Sequence, residues 1–149
     1  MAFLGRIIVI LFAVWLASMA AGIAIAMGLL GPAWHGFTGD AFDRMTFSVV
    51  AFAGTLFTGA VALLPLLILI VLAEAFKIRS LVIYAAAGAA MMLAGYLGSG
   101  LAPPSSEESI DHPPPPISHA SEVAAAAGVV FGGVYWLVAG RRAGRWREG

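Results

Sequence analysis

Long apolar runs, separated by shorter polar segments, dominate the pattern of the chain. They cover about residues 7–30, 45–73, 81–101 and 119–139. A helix that crosses the hydrocarbon core of a bilayer needs about 20 mainly apolar residues, and each run lies in or near that range. The pattern predicts an all-α integral membrane protein, in which residues 1–149 form one membrane domain with a four-transmembrane-helix bundle.

The first run has a second interpretation, because it follows Arg6 and contains the small-x-small sequence Ala24-Ile25-Ala26, which resembles a signal-peptide cleavage site. The apolar region of a signal peptide has roughly 7–15 residues, and this run is longer. We therefore expect it to remain in the protein as a membrane helix.

The second run is too long for a helix that stands perpendicular to the membrane, since each residue adds about 1.5 Å to a helix. We expect tilt, or an extension into the interface, to absorb the excess. Pro65 lies inside this run. Proline lacks an N–H donor and clashes with the carbonyl four residues earlier, here that of Val61, so the sequence predicts a kink. A packing bend is favoured over a gating hinge.

Composition supports lipid as the solvent for much of the surface. Of 149 residues, 61% are hydrophobic and 11% are charged, whereas soluble chains carry roughly 25% charged residues. The absence of cysteine excludes disulfides and thiolate sites. The chain also lacks Asn and Gln and has far more Arg than Lys, which suggests a GC-rich genome. We expect a bacterial inner (cytoplasmic) membrane.

Charge segregation predicts the orientation. Basic residues accumulate on the cytoplasmic side of membrane proteins. Here they fall in segments that alternate onto one side: Arg6, Lys77, Arg79, Arg141, Arg142, Arg145 and Arg147. Arg44 is the exception. Most acidic residues fall on the other side, so we expect both termini in the cytoplasm (N-in/C-in) and the loop 102–118 in the periplasm.

The loop 102–118 contains four consecutive prolines, residues 113–116, which favour an extended conformation in water. It also holds the weaker metal-ligand candidates Glu107, Asp111 and His112, with His119 just beyond it. Carboxylates and imidazoles suit divalent ions, but the spacing matches no closed site. A solvated polar loop is therefore favoured, and neither a metal nor a cofactor is expected.

Small residues recur at helical spacing in the apolar runs. Gly128 and Gly132 form a GxxxG sequence in the fourth run, and Gly22 and Gly98 belong to small-residue faces in the first and third. In lipid, small residues allow helix backbones to approach closely. We expect these glycines to pack helices within the bundle. Packing against another copy or another membrane protein is the competing interpretation.

The central parts of the runs contain no ionisable side chain, which argues against a proton-coupled transporter. The polar groups that remain, Ser18, Thr55, Thr58, Tyr84 and Tyr96, are expected to be hydrogen-bonded within the bundle. Glu122 should complement the start of the fourth helix, with Ser118 or Ser121 as its N-cap. The tail 140–149 combines arginines with Trp146, and we expect Arg141, Arg142, Arg145, Trp146 and Arg147 to anchor it at anionic lipid.

No catalytic motif appears, so the first hypothesis is a non-enzymatic accessory, scaffold or interaction subunit of a cytoplasmic-membrane complex. The alternative is a small homo-oligomeric transporter or channel. A second alternative is a metal or pH sensor in the outer loop. Expected partners are the bilayer, with anionic lipid at its cytoplasmic face, and either a membrane protein or further copies of the chain; nucleic acid is not expected.

Overall fold

A computed structural model describes residues 2–31, 39–76, 78–100 and 118–142 of the chain. Within these ranges the protein is helical and contains no strand. The helices are α1 (Ala2–Leu30), α2 (Ala41–Ala75), α3 (Leu81–Gly98) and α4 (His119–Val138), followed by the short 3-10 helix η1 (Gly140–Arg142). The four α-helices are long and apolar enough to cross a membrane, as in a multi-pass membrane protein.

Helices α1 and α2 begin earlier than the apolar runs predicted, at Ala2 rather than at residue 7 and at Ala41 rather than at residue 45. The edge of an apolar run marks a change of solvent, whereas a helix ends where its backbone groups find other partners. At α2 that partner is the N-cap Asp40, whose carboxylate accepts a hydrogen bond of 2.9 Å from the N–H of Asp43.

Helix α3 ends at Gly98 rather than at residue 101, and Gly100 adopts a positive φ of 70° shortly after it. Only glycine takes up this left-handed conformation at little cost, which makes it a common helix terminator. Of the two N-caps predicted for α4, Ser118 is confirmed, because its hydroxyl accepts from the N–H of Ser121 at 3.2 Å. Glu122 lies in the first turn, as predicted.

The helices pack in the order α2, α1, α4, α3. Helix α1 contacts both α2 and α4, and α4 also packs extensively on α3, whereas α2 and α3 share much less contact. The core is made largely of small side chains. On α1, Ala13, Ala17 and Ala21 are completely buried, and Thr58 of α2 is the largest side chain that the described core encloses fully. Small side chains let helices approach closely where hydrophobic burial offers no driving force.

Helix α2 continues through Pro65. The side chains of residues 62–67 lie outside the described set. The kink expected in the backbone at Pro65 stays a prediction.

Candidate functional site

One end of the helices, which we call the basic end, collects three arginines from distant parts of the chain. The Nη2 atom of Arg6 donates to the carbonyl oxygen of Ala139 at 3.0 Å. The indole Nε1 of Trp136 donates to the carbonyl oxygen of Arg79 at 2.7 Å. The guanidinium of Arg141 lies 4.9 Å from the centre of the Trp136 ring, in cation-π range. These contacts tie α1, the start of α3 and the end of α4 together.

Only some of the residues that were predicted to anchor the tail to lipid lie within the described part of the chain. Arg141 is exposed and stacks on Trp136. Arg142 closes the 3-10 helix η1, and its side chain is not among those described. Arg145, Trp146 and Arg147 lie outside the described residues. Lipid contact by this group stays a prediction.

The opposite end, which we call the acidic end, contains His119 and Glu122 at the start of α4. The Nε2 atom of His119 lies 3.1 Å from the carbonyl oxygen of Gly28, within hydrogen-bonding distance, and this contact links α4 to α1. Its Nδ1 atom lies 3.9 Å from the Glu122 carboxylate. Both side chains are exposed, so this pair adds little to stability.

The metal candidates cannot be assembled from the described part of the chain. Glu107, Asp111 and His112 lie outside it, and only His119 has a described position. No group of three potential ligands occurs among the residues described. His119 contributes instead to the contact between α4 and α1.

Polar groups inside the spans divide into two sets. In α2, the hydroxyls of Thr55 and Thr58 each donate to the carbonyl oxygen four residues earlier, at 2.8 Å and 2.7 Å. The Tyr84 hydroxyl donates to the carbonyl oxygen of Ile78 at 3.2 Å. For these three the predicted hydrogen bonding is confirmed. For Ser18 and Tyr96 it is wrong within the described residues, where neither hydroxyl has a partner.

Three of the four glycines singled out from the sequence lie at close helix contacts. A Cβ atom on Gly128 would overlap the backbone of Gly88, and one on Gly132 would overlap the carbonyl of Tyr84. A Cβ atom on Gly22 would overlap Thr55 of α2. Gly98 differs, because no described atom lies within 4 Å of the position that its Cβ would take.

The outer surface of α1 and α2 carries a groove of about 300 Å³, which we call the outward groove. It is lined by Trp15, Met19 and Ile23 of α1 and by Ala51, Phe52 and Thr55 of α2. Trp15 is 58% exposed and lies near the middle of α1. Its ring centre is 6.1 Å from that of Phe12, which extends the aromatic surface along the helix.

Sequence reasoning missed this groove, although one signal for it was present. Tryptophan prefers the membrane interface, where its N–H can reach water. Trp15 lies deep inside an apolar run instead. A tryptophan far from both ends of a predicted span therefore could have marked this face of α1.

Comparisons with protein-family models, curated proteins and solved structures gave no match to this chain.

Proposed function

We propose that this chain is a non-enzymatic accessory subunit of the bacterial inner membrane, whose outward groove binds a transmembrane helix of another membrane protein. The observation that carries the proposal is the position of Trp15. A large aromatic side chain is exposed near the middle of a helix that is apolar enough to span the bilayer.

The indole N–H of Trp15 needs a hydrogen-bond acceptor. It has no hydrogen-bond acceptor among the described residues. In the hydrocarbon core no water is present, and an unsatisfied polar group there costs several kcal/mol. A partner helix with a hydroxyl or an under-bonded carbonyl at that depth would supply the acceptor, whereas acyl chains cannot.

The composition of the outward groove also favours a partner helix. Trp is enriched among the residues that dominate binding energy at interfaces. Met19 can adapt its shape to a partner side chain, because methionine is flexible and polarizable. Ala51, on the opposite wall, leaves room for a helix backbone. A groove with an aromatic side chain on each helix, Trp15 and Phe52, and a small residue at Ala51 suits a helix better than a disordered lipid tail.

The orientation that we propose is N-in/C-in, with a four-span bundle whose basic end faces the cytoplasm. Its support is that Arg6, Arg79 and Arg141 gather at one end, since basic residues favour the cytoplasmic side. Anionic lipid headgroups at that face would then interact with the arginine tail. The loop 102–118 would lie in the periplasm.

Affinity purification in a mild detergent tests the docking proposal. We expect the tagged chain to recover a stoichiometric larger membrane complex, and Trp15→Leu to reduce that recovery about tenfold or more, the scale of an interface anchor worth about 2 kcal/mol. Phe42→Leu is the control, because Phe42 is an exposed aromatic residue outside the groove. Recovery of the chain alone, or equal recovery by the two variants, would reject the proposal.

Cysteine labelling tests the orientation, because the chain has no cysteine of its own. We expect a membrane-impermeant maleimide added to intact spheroplasts to label Ala41→Cys, at the start of α2, and to label Ser80→Cys, next to α3, only after lysis. Both positions are exposed, and the Ser80 side chain makes no capping hydrogen bond. The reverse pattern would invert the orientation.

A further inference from the structure

A cavity of about 330 Å³ lies between the four helices, towards the acidic end. Each helix contributes to its wall, for example through Ile25 of α1, Phe57 of α2, Met92 of α3 and Val123 of α4. Binding pockets in proteins start at about this volume, and helix bundles commonly form them between their helices. The cavity is separate from the outward groove, which lies on the other side of α1 and α2.

The walls of this cavity are almost entirely carbon. Water needs two to four polar partners to occupy such a space, and a polar solute would lose its own hydrogen bonds on entering. An apolar chain loses nothing. The chemistry of the walls therefore selects a hydrocarbon occupant.

Helices α2 and α3 share much less contact than the other neighbouring pairs, and where they meet, the side chain of Val61 lies between them against Gly95. Both helices line the cavity. A chain from the surrounding bilayer could therefore enter between them without passing through water.

Tyr96 adds a polar group with a defined position. It lines the cavity, it is half-buried, and its hydroxyl has no hydrogen-bond partner among the residues that the structure describes. It also lies within one turn of the end of α3 at Gly98. If α3 spans the bilayer, its 18 residues cover about 27 Å of a core about 30 Å thick, so the Tyr96 hydroxyl lies near the edge of the core, within reach of the glycerol esters.

We propose that the cavity binds one acyl chain of a phospholipid from the leaflet at the acidic end, and that the Tyr96 hydroxyl donates a hydrogen bond to the ester carbonyl of that chain. The proposal rests on the proposed membrane location of the helices, but it does not depend on a protein partner in the outward groove.

Photolabelling tests the site. The protein is reconstituted in phosphatidylcholine vesicles with a trace of a phosphatidylcholine that carries a diazirine on one acyl chain, and membrane insertion is verified beforehand by resistance to alkaline extraction. We expect labelled peptides to concentrate at cavity residues such as Phe57 and Met92. Ala53→Phe, which places a ring in the cavity, should reduce this labelling at least fivefold. Ala94→Phe is the matched control, because Ala94 is exposed and does not line the cavity.

Equal labelling of cavity residues and of an exposed residue such as Val82, with no effect of Ala53→Phe, would overturn the proposal. A second readout tests the hydrogen bond. The wild type should retain the diester reagent better than its diether analogue, which lacks the carbonyl, and Tyr96→Phe should abolish that preference. Equal retention of both reagents by the wild type would overturn the role of Tyr96. Failure of alkaline-resistant insertion would contradict the membrane location instead.

Discussion

The contact between α3 and α4 differs from the contact between α2 and α3 in what lies opposite a glycine. At the first, Gly88 and Gly128 face each other directly, so backbone lies against backbone. At the second, the glycine Gly95 meets the side chain of Val61, and the two helices share little other contact. The first contact holds α3 against α4, and the second leaves room for the cavity beside it.

At Gly128 the facing residue is also glycine, so the two helix backbones lie directly against each other. Two facing glycines remove both Cβ atoms, and dispersion contacts then run along the backbones. A glycine that faces a valine admits one side chain and leaves the helices further apart. The first two predictions below separate these two cases, and the other two measure hydrogen bonds rather than glycine contacts.

Gly128→Leu should have the largest effect on stability, because the new side chain would meet the backbone of Gly88, which cannot move without separating α3 from α4. We expect the free energy of unfolding to fall by about 3 kcal/mol or more. Unfolding in mixed detergent micelles measures it. Gly133→Leu is the matched control, since no described atom lies within 4 Å of a Cβ there. Equal losses in the two variants would show that the backbone contact does not hold this interface.

Gly128→Ala and Gly95→Ala compare the two contacts with the same small change. The methyl group at Gly128 meets backbone, while the one at Gly95 meets the side chain of Val61 at a helix pair with little other contact. We expect a loss of about 2 kcal/mol at Gly128 and of less than about 1 kcal/mol at Gly95. A larger loss at Gly95 would mean that α2 and α3 pack as tightly as α3 and α4.

Arg6→Met tests the hydrogen bond that joins α1 to the end of α4 at the basic end, far from the two glycine contacts. It removes the hydrogen bond from Arg6 to the carbonyl of Ala139, while it keeps a long apolar side chain. A hydrogen bond from a charged donor contributes about 1.5–3 kcal/mol when buried, and this one is only partly buried. We therefore expect a loss of about 1 kcal/mol in the same unfolding assay. No change would show that this hydrogen bond adds nothing to the packing of α1 against α4.

Thr58→Val should have the smallest effect, although Thr58 is completely buried. Its hydroxyl bonds the carbonyl of Gly54 within its own helix, so the change removes no contact between helices. Hydrogen bonds inside membrane proteins contribute about 0.6 kcal/mol on average, and we expect a loss of that order. A loss above about 2 kcal/mol would indicate that the hydroxyl also joins α2 to α1.

The helices could be predicted from the sequence because the signals for them are local. Apolar runs are long, and Ser118 is an ordinary cap in the predicted place, whereas the cap Asp40 at the start of α2 was missed. The close contacts at Gly128 and Gly22 follow from small-residue spacing. Gly98 has the same spacing, but spacing does not tell which face of a helix finds a neighbour.

The candidate sites could not be predicted in this way, because each depends on how separate helices are placed. The cavity needs α2 and α3 to be held apart, and the outward groove needs Ala51 and Trp15 side by side. No run of sequence contains both halves of either site. The depth of Trp15 was visible in the sequence, but its exposure required the packing of α1 against α2 and α4.

Site-specific photocrosslinking in intact cells tests the central claim most directly. A photoreactive phenylalanine analogue replaces Phe52, which lines the outward groove, in one variant and Val82, an exposed residue of α3, in the other. Trp15 is kept in both, and we expect a discrete adduct with a different membrane protein from position 52 and not from position 82. Adducts with a second copy of the chain, the same adducts from both positions, or no protein adduct at position 52 would contradict the docking proposal.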